Sequence, residues 1–267
     1  MNTNTLSTNK NSRDGSTVQA VDRALMLLKL IGESKSPISL KDLVASCGLN
    51  RTTVWRLIGS LENEGLVEKD PMTNGYRLGF LFYRLAMQNN PYNSLIHRAK
   101  NTLEALRDAI DETVILSVPK MDGIYTINQL DPSQSVRLVD YTNTITPLHH
   151  CTSNGKVLLS TFSENELEQY LSKELIAKTT HTITDKAQLI EQINWTRHNK
   201  VGLSIGEYGE NENAMSAPIF DTHQNLVAFI TIGGPGFRLT KEDLLNLKGT
   251  LLQAAKEIEQ NLTSFGK

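Results

Sequence analysis

The chain has 267 residues, 39% of them hydrophobic and 21% charged, with a formal net charge of −2. That length accommodates two domains with a core each, and the balance excludes a disordered or fibrous chain. No apolar run reaches the length of a membrane span, the opening residues lack the layout of a signal peptide, and Cys47 and Cys151 match no metal or redox spacing. A chain that crosses a membrane as apolar helices and a fold built on disulfides are not expected, and a cytoplasmic location is expected.

Charge is unevenly spread. Residues 1–90 carry eleven Lys and Arg against eight Asp and Glu, whereas the remainder carries sixteen against twenty-one. A mildly basic front on an acidic body suits a module that meets a polyanion joined to one that does not.

Residues 1–17 read as a polar, flexible tail. A helix is predicted over Val18–Ile31 from the spacing of Val21, Ala24, Leu25, Leu28 and Ile31. Gly32 and Pro37 end it, and Ser39 with Asp42 three residues on caps a short helix, Leu40–Ser46, that stops at Gly48. Asn50 caps a third helix ending before Gly65, with Val54, Leu57, Ile58 and Leu61 as its inward stripe. Arg51, Thr52, Thr53, Trp55, Arg56 and Ser60 then lie wholly or partly outside. Two strand-like runs flank Asp70-Pro71-Met72-Thr73-Asn74-Gly75 as a hairpin bearing Lys69, Asn74 and Arg77.

Helix, short helix, tight turn, helix and hairpin make a winged helix-turn-helix, placed at residues 18–79. A helix laid in the major groove of double-stranded DNA needs short polar and guanidinium groups facing outward, to reach base edges and phosphates. The third helix offers that mixture, and Lys69 and Arg77 of the wing can lie along the backbone.

Beyond the wing, residues 80–93 are expected to form a linker built on an apolar helix, and residues 94–267 a second domain. It opens with a helix over Ser94–Ile110. "TVILSVPK", "GIYTINQL" and "SVRLVDY" read as strands, "SNGKVLLSTF", "ENELEQYL" and "AQLIEQINWTRHN" as helices, and "LSIGEY", "AMSAPIF" and "NLVAFITIGG" as strands again. A last helix is expected from the Thr240 cap to about Asn261. This order predicts an α+β domain on an antiparallel sheet.

Several stretches invite chemistry and are tested by spacing. "SNGK" at Ser153–Lys156 is not a phosphate loop, because His150 stands where the first glycine is needed and Val157 follows the lysine. "GGPG" at Gly233–Gly236 lacks dinucleotide spacing and reads as a turn. His149, His150 and Cys151 invite a metal, but one short stretch supplies at most three donors, and no second cluster completes a tetrahedral set. A metal-sensing regulator centred there stays open as an alternative, and no metal or other cofactor is the expectation. No nucleophile, base and carboxylate pattern emerges, so an enzyme is not expected. The rival in which the winged domain only mediates protein contacts would need a neutral or acidic third-helix face.

Three later blocks, "HCTSNGKVLL", "GEYGENENAMSAPIFD" and "ITIGGPGFRLT", join the front block "VQAVDRALMLLKLI…CGLNRTTVWRLIGSLENEGLVEKDPMTNGYRLG" at ordered spacing. Taken together, from about Val18 to Leu262, the chain resembles the IclR family of bacterial transcriptional regulators. That resemblance implies a GAF-like effector-binding domain, a dimer or dimer of dimers on a roughly palindromic operator, and a small organic acid as effector. It implies that Ser153, Asn154 and Gly155 present backbone N–H groups at a helix N-terminus to the ligand carboxylate. Pro147 lies one residue further from the Gly-Lys pair than the family pattern has it.

The same resemblance places Glu207, Ala214, Thr231 and Gly233 at or beside the pocket. Ala214 stands where many members have cysteine, and Thr231 and Gly233 where they have serine. A roomier site with fewer thiol and hydroxyl donors follows, for an acid larger than glyoxylate or pyruvate, such as a sugar acid or aromatic acid.

Overall fold

The computed structural model describes residues 18–88 and 90–263, so the expected N-terminal tail lies outside the described residues. The chain divides between Asn90 and Pro91 into two compact units.

The first unit holds three helices, a hairpin and a fourth helix: α1 (Gln19–Glu33), α2 (Leu40–Cys47), α3 (Arg51–Asn63), β1 (Val67–Lys69), β2 (Tyr76–Leu78) and α4 (Phe80–Gln88). Local chemistry sets the helix starts. Ser39 accepts from the Asp42 N–H and Asn50 from the Thr53 N–H, while Gly48 closes α2 in the left-handed region at φ 68°. Leu27, Ile31, Leu43, Val54, Ile58, Leu61, Val67 and Tyr76 form the core, and Leu57 packs half-buried against it. On α1 the expected stripe needs correction. Val21 and Leu25 are exposed at 53% and 50%, whereas Leu27, outside the stripe, is fully buried. The helix is rotated so that Ala24, Leu27, Leu28 and Ile31 face α2 and α3.

In the wing, β1 and β2 pair antiparallel with Glu68 opposite Arg77. Asp70 holds the turn by accepting from the Met72 and Thr73 N–H groups and the Thr73 hydroxyl. Ile38 exchanges two backbone hydrogen bonds with Tyr76, adding a one-residue third strand that fastens the wing to the segment before α2.

The second unit is α+β. It opens with α5 (Asn93–Ile110), followed by β3 (Thr113–Lys120), β4 (Gly123–Leu130) and β5 (Ile145–Thr146). Then come α6 (Ser153–Ser160), α7 (Glu164–Leu171), α8 (Lys186–Asn199), β6 (Gly202–Ile205), β7 (Glu212–Phe220), β8 (Leu226–Pro235), α9 (Lys241–Asn246) and α10 (Lys248–Thr263). The six strands run antiparallel in the order β5-β4-β3-β8-β7-β6.

Strand alternation gives the sheet two unlike faces. Val114, Leu116, Val118, Met215, Ala217, Ile219, Ala228, Ile230 and Ile232 meet the aliphatic sides of α5 and α10. The opposite face carries Thr113, Ser117, Ser216 and Thr231, and α6 packs on it, backed by α7 and α8.

Three expectations fail here. Gly233–Pro235, read as part of a turn, continue β8, and the turn starts only at Gly236. Residues 135–141 are not a strand. Gln129 takes the place of a strand partner, accepting from the Tyr141 N–H and donating to the Val139 carbonyl, so the segment crosses the end of β4 as an irregular loop. The last helix is two: α9 starts from a reciprocal Thr240–Asp243 capping box and ends at Leu247, from which α10 sets off.

Candidate functional site

The outer face of α3 follows from its stripe. With Val54, Ile58 and Leu61 buried, the helical period leaves Arg51, Thr52, Trp55, Arg56 and Ser60 exposed, Trp55 at 63%, and Thr53 half-buried. Among the described residues neither Arg51 nor Arg56 makes a side-chain hydrogen bond or ion pair. Ser60 turns its hydroxyl back to the Arg56 carbonyl at 3.2 Å and so keeps only acceptor capacity outward.

The wing differs. Lys69 is exposed, but the Arg77 guanidinium is bonded across the hairpin to Glu68 at 2.8 Å and lies 3.8 Å from Asp70. Asn74 sits in the turn at φ 56°. The wing thus compensates part of its own charge, which α3 does not.

In the second unit, the polar face of the sheet and the N-terminus of α6 enclose a cavity of about 590 Å³, counted out to its mouth. Of the residues expected there, Ser153, Asn154, Ala214 and Thr231 line it, while Gly155, Glu207 and Gly233 do not. Thr152 caps α6 by accepting from the Gly155 N–H, so that donor is committed; the N–H groups of Ser153 and Asn154 have no partner among the described residues. A hydroxyl chain runs behind them, Ser153 to Ser216 at 2.7 Å and Ser216 to Thr231 at 2.6 Å.

Gly155 and Gly233 serve packing. A Cβ on Gly155 would lie 2.2 Å from the His149 carbonyl oxygen, so only glycine lets the preceding turn approach α6. A Cβ on Gly233 would lie 2.7 Å from a Leu138 methyl. Leu138 fills the space that the glycine vacates, and the expected extra room is not there.

Glu207 is buried with Lys156, 5% and 1% exposed, their Oε1 and Nζ 2.5 Å apart. Burial pulls the Lys156 ammonium below the ordinary lysine value, and the Glu207 charge pushes back. The Glu207 Oε2 is buried without a partner among the described residues.

His149–Cys151 form a single 3-10 turn just before α6. His150 is held on both ring nitrogens, by the Tyr170 hydroxyl at 3.1 Å and the Ile176 carbonyl at 3.0 Å. His149 stacks on Tyr170. Burial lowers both histidines, and burial with the Glu207 charge pushes the Cys151 thiol up to about 11. Among the described residues no three His, Cys, Asp or Glu side chains converge on one point.

Sequence reasoning missed Lys156, Tyr141, Tyr208, Glu212 and Leu138. Glu212 was within reach, since it shares a strand parity with Ala214. Tyr141 and Leu138 lie in the irregular loop, where no period marks a face. Nor did any local signal couple Lys156 to a residue 51 positions away.

Residues 92–260 match the family described as bacterial transcriptional regulator IclR C-terminal, and residues 20–71 match the IclR helix-turn-helix domain. The HTH-type transcriptional regulator BhcR of Paracoccus denitrificans is 27% identical over 256 residues, 96% of this chain and 89% of that protein. TtgV of Pseudomonas putida, also an HTH-type transcriptional regulator, is 28% identical over 250 residues, 94% of each chain. In fold, an IclR homolog from Microbacterium hydrocarbonoxydans, solved in complex with 4-hydroxybenzoate, is similar at a TM-score of 0.79 and 19% identity. That likeness covers 91% of this chain and 98% of the other. The Thermotoga maritima IclR has a TM-score of 0.70 at 22% identity over 91% and 98%. Among the described residues no helix is long and apolar enough to cross a membrane. The two matched segments run through both folded units, and the chain belongs to the IclR family of bacterial transcriptional regulators, with a DNA-binding helix-turn-helix at its front.

Proposed function

We propose that the protein is a cytoplasmic, ligand-responsive regulator that binds a roughly palindromic operator as a dimer or dimer of dimers. Residues 18–79 contact DNA, residues 80–93 link, and residues 94–267 bind the effector and associate. Arg51, Thr52, Thr53, Trp55, Arg56 and Ser60 of α3 enter the major groove, where guanidinium groups meet guanine edges or phosphates and Trp55 meets sugar or thymine methyl. Lys69 and Arg77 follow the backbone, Arg77 after exchanging Glu68 for a phosphate.

The effector is a small organic acid. Its carboxylate lies on the Ser153 and Asn154 N–H groups, its body touches Ala214 and Thr231, and Gly155, Glu207 and Gly233 shape the wall from behind. Binding shifts the population of dimer geometries by as much as the acid's affinities for them differ. A related fold holding 4-hydroxybenzoate supports an acid of that size.

One observation carries this reading: two guanidiniums with no partner among the described residues lie on the exposed face of a helix whose aliphatic side is buried. The test is fluorescence anisotropy on labelled genomic fragments at several salt concentrations, with and without 4-hydroxybenzoate and a panel of sugar acids. Salt-sensitive binding to one fragment, altered by one acid, is the expected result; indifference to every fragment would overturn the reading.

A further inference from the structure

Glu212, Ala214 and Ser216 alternate along β7 and so share its cavity face. The two ends of that face differ in chemistry. At the Ser216 end stand the Ser153–Ser216–Thr231 hydroxyl chain and the open N–H groups of Ser153 and Asn154. Four residues along the strand, roughly 13 Å by backbone rise, stands the Glu212 carboxylate.

Glu212 accepts from the Tyr141 hydroxyl at 2.9 Å through Oε2, and its Oε1 has no partner among the described residues. Burial, with Glu212 beside it, holds the Tyr141 phenol well above its ordinary value, so Tyr141 stays a donor. A Cβ on Gly209 would lie 2.7 Å from the Glu212 carboxyl carbon, so the turn before β7 leaves the carboxylate its place. Among the described residues no Lys, Arg or His lines the cavity to balance it; the Lys178 ammonium lies over the Tyr208 ring, 5.2 Å from its centroid. Tyr141 and Tyr208 meet edge-on with ring centroids 6.1 Å apart and wall the space between the ends.

A second carboxylate on a ligand would face Glu212 with no cation among the described lining residues, whereas an O–H or N–H would make a charge-assisted hydrogen bond. We infer that Glu212 is the specificity-determining residue of this pocket: it selects compact monocarboxylic acids that carry a hydrogen-bond donor at the far end and rejects diacids. The inference rests on the effector reading above.

Para-substituted phenylacetates that differ only at the far end test it, by calorimetric titration of the full chain. 4-Hydroxyphenylacetate or 4-(aminomethyl)phenylacetate binds about tenfold more tightly than 4-methylphenylacetate, and the tighter of the two names the donor. 4-Carboxyphenylacetate binds weakest. In Glu212→Gln the donor advantage shrinks to about threefold and the diacid gains, while Tyr141→Phe keeps the donor advantage. The inference is overturned if the methyl acid or the diacid binds the unaltered chain as tightly as the donor acids, or if none of the four binds. It also falls if the ranking follows Tyr141 rather than Glu212. Should a different acid then change operator binding, the regulator reading stands without this inference.

Discussion

The outer face of α3 and the cavity beside α6 both concentrate polar side chains, in opposite ways. On α3 the guanidiniums are exposed and without partners among the described residues, so their energy is realised only when an anionic surface arrives. Around the cavity Ser153 is bonded to Ser216, Asn154 to Ser117 and Tyr141 to Glu212, and behind it Glu207 is bonded to Lys156. An exposed charged face yields affinity that falls with salt. A buried network instead fixes which donors and acceptors stay open, and so yields discrimination. On the proposed reading, exposed charge serves DNA and fixed dipoles serve a small ligand.

Breaking the fixed side should cost most. Lys156→Ala strands Glu207 in the interior, and the second unit should lose roughly 3–5 kcal/mol in urea denaturation. The double change Lys156→Met with Glu207→Leu should recover most of that loss, because the charge and its partner leave together. A single variant as stable as the parent would show that water reaches the pair.

On the exposed side, Arg56→Ala should weaken operator binding by roughly 1–3 kcal/mol with the melting temperature unchanged. Equal affinity at every salt concentration would remove Arg56 from the interface.

Acid sharpens the comparison from the other direction. Burial lowers His149 and His150 in the folded state, so as pH falls below the ordinary value of 6.5 the unfolded chain binds protons that the folded chain resists. Stability from these residues is therefore complete above 6.5 and declines as pH drops through their lowered folded values. Urea melts at about pH 7.5 and about pH 5 should show it, and His149→Phe should flatten the difference while keeping the stack on Tyr170.

Least of all, Lys69→Ala should weaken binding evenly across operator sequences and reduce the salt slope by about 1. Arg77→Ala should do less than that, because Glu68 already occupies its guanidinium.

Several features are legible in the sequence alone. Asn50 and Ser39 cap helices through contacts three residues long, and β3, β4 and β8 announce themselves as β-branched runs between turns. The errors share a cause. Val21 and Leu25 satisfy the same period as Leu27 and Leu28, and only packing against α2 and α3 decides which side turns inward. "SVRLVDY" has strand composition, yet Gln129 occupies the bonds that a strand there would need.

Sequence by itself determined the element order of the first unit, the Ser39, Asn50 and Thr240 caps and the outward residues of α3, because those depend on neighbours within a turn or two along the chain. Only the tertiary structure decided that Lys156 meets Glu207, that Leu138 fills the space beside Gly233, that Gly155 admits a turn and that Arg77 is paired. Each of those outcomes rests on a contact between surfaces brought together by the fold, and contact at a distance in sequence leaves no period to read.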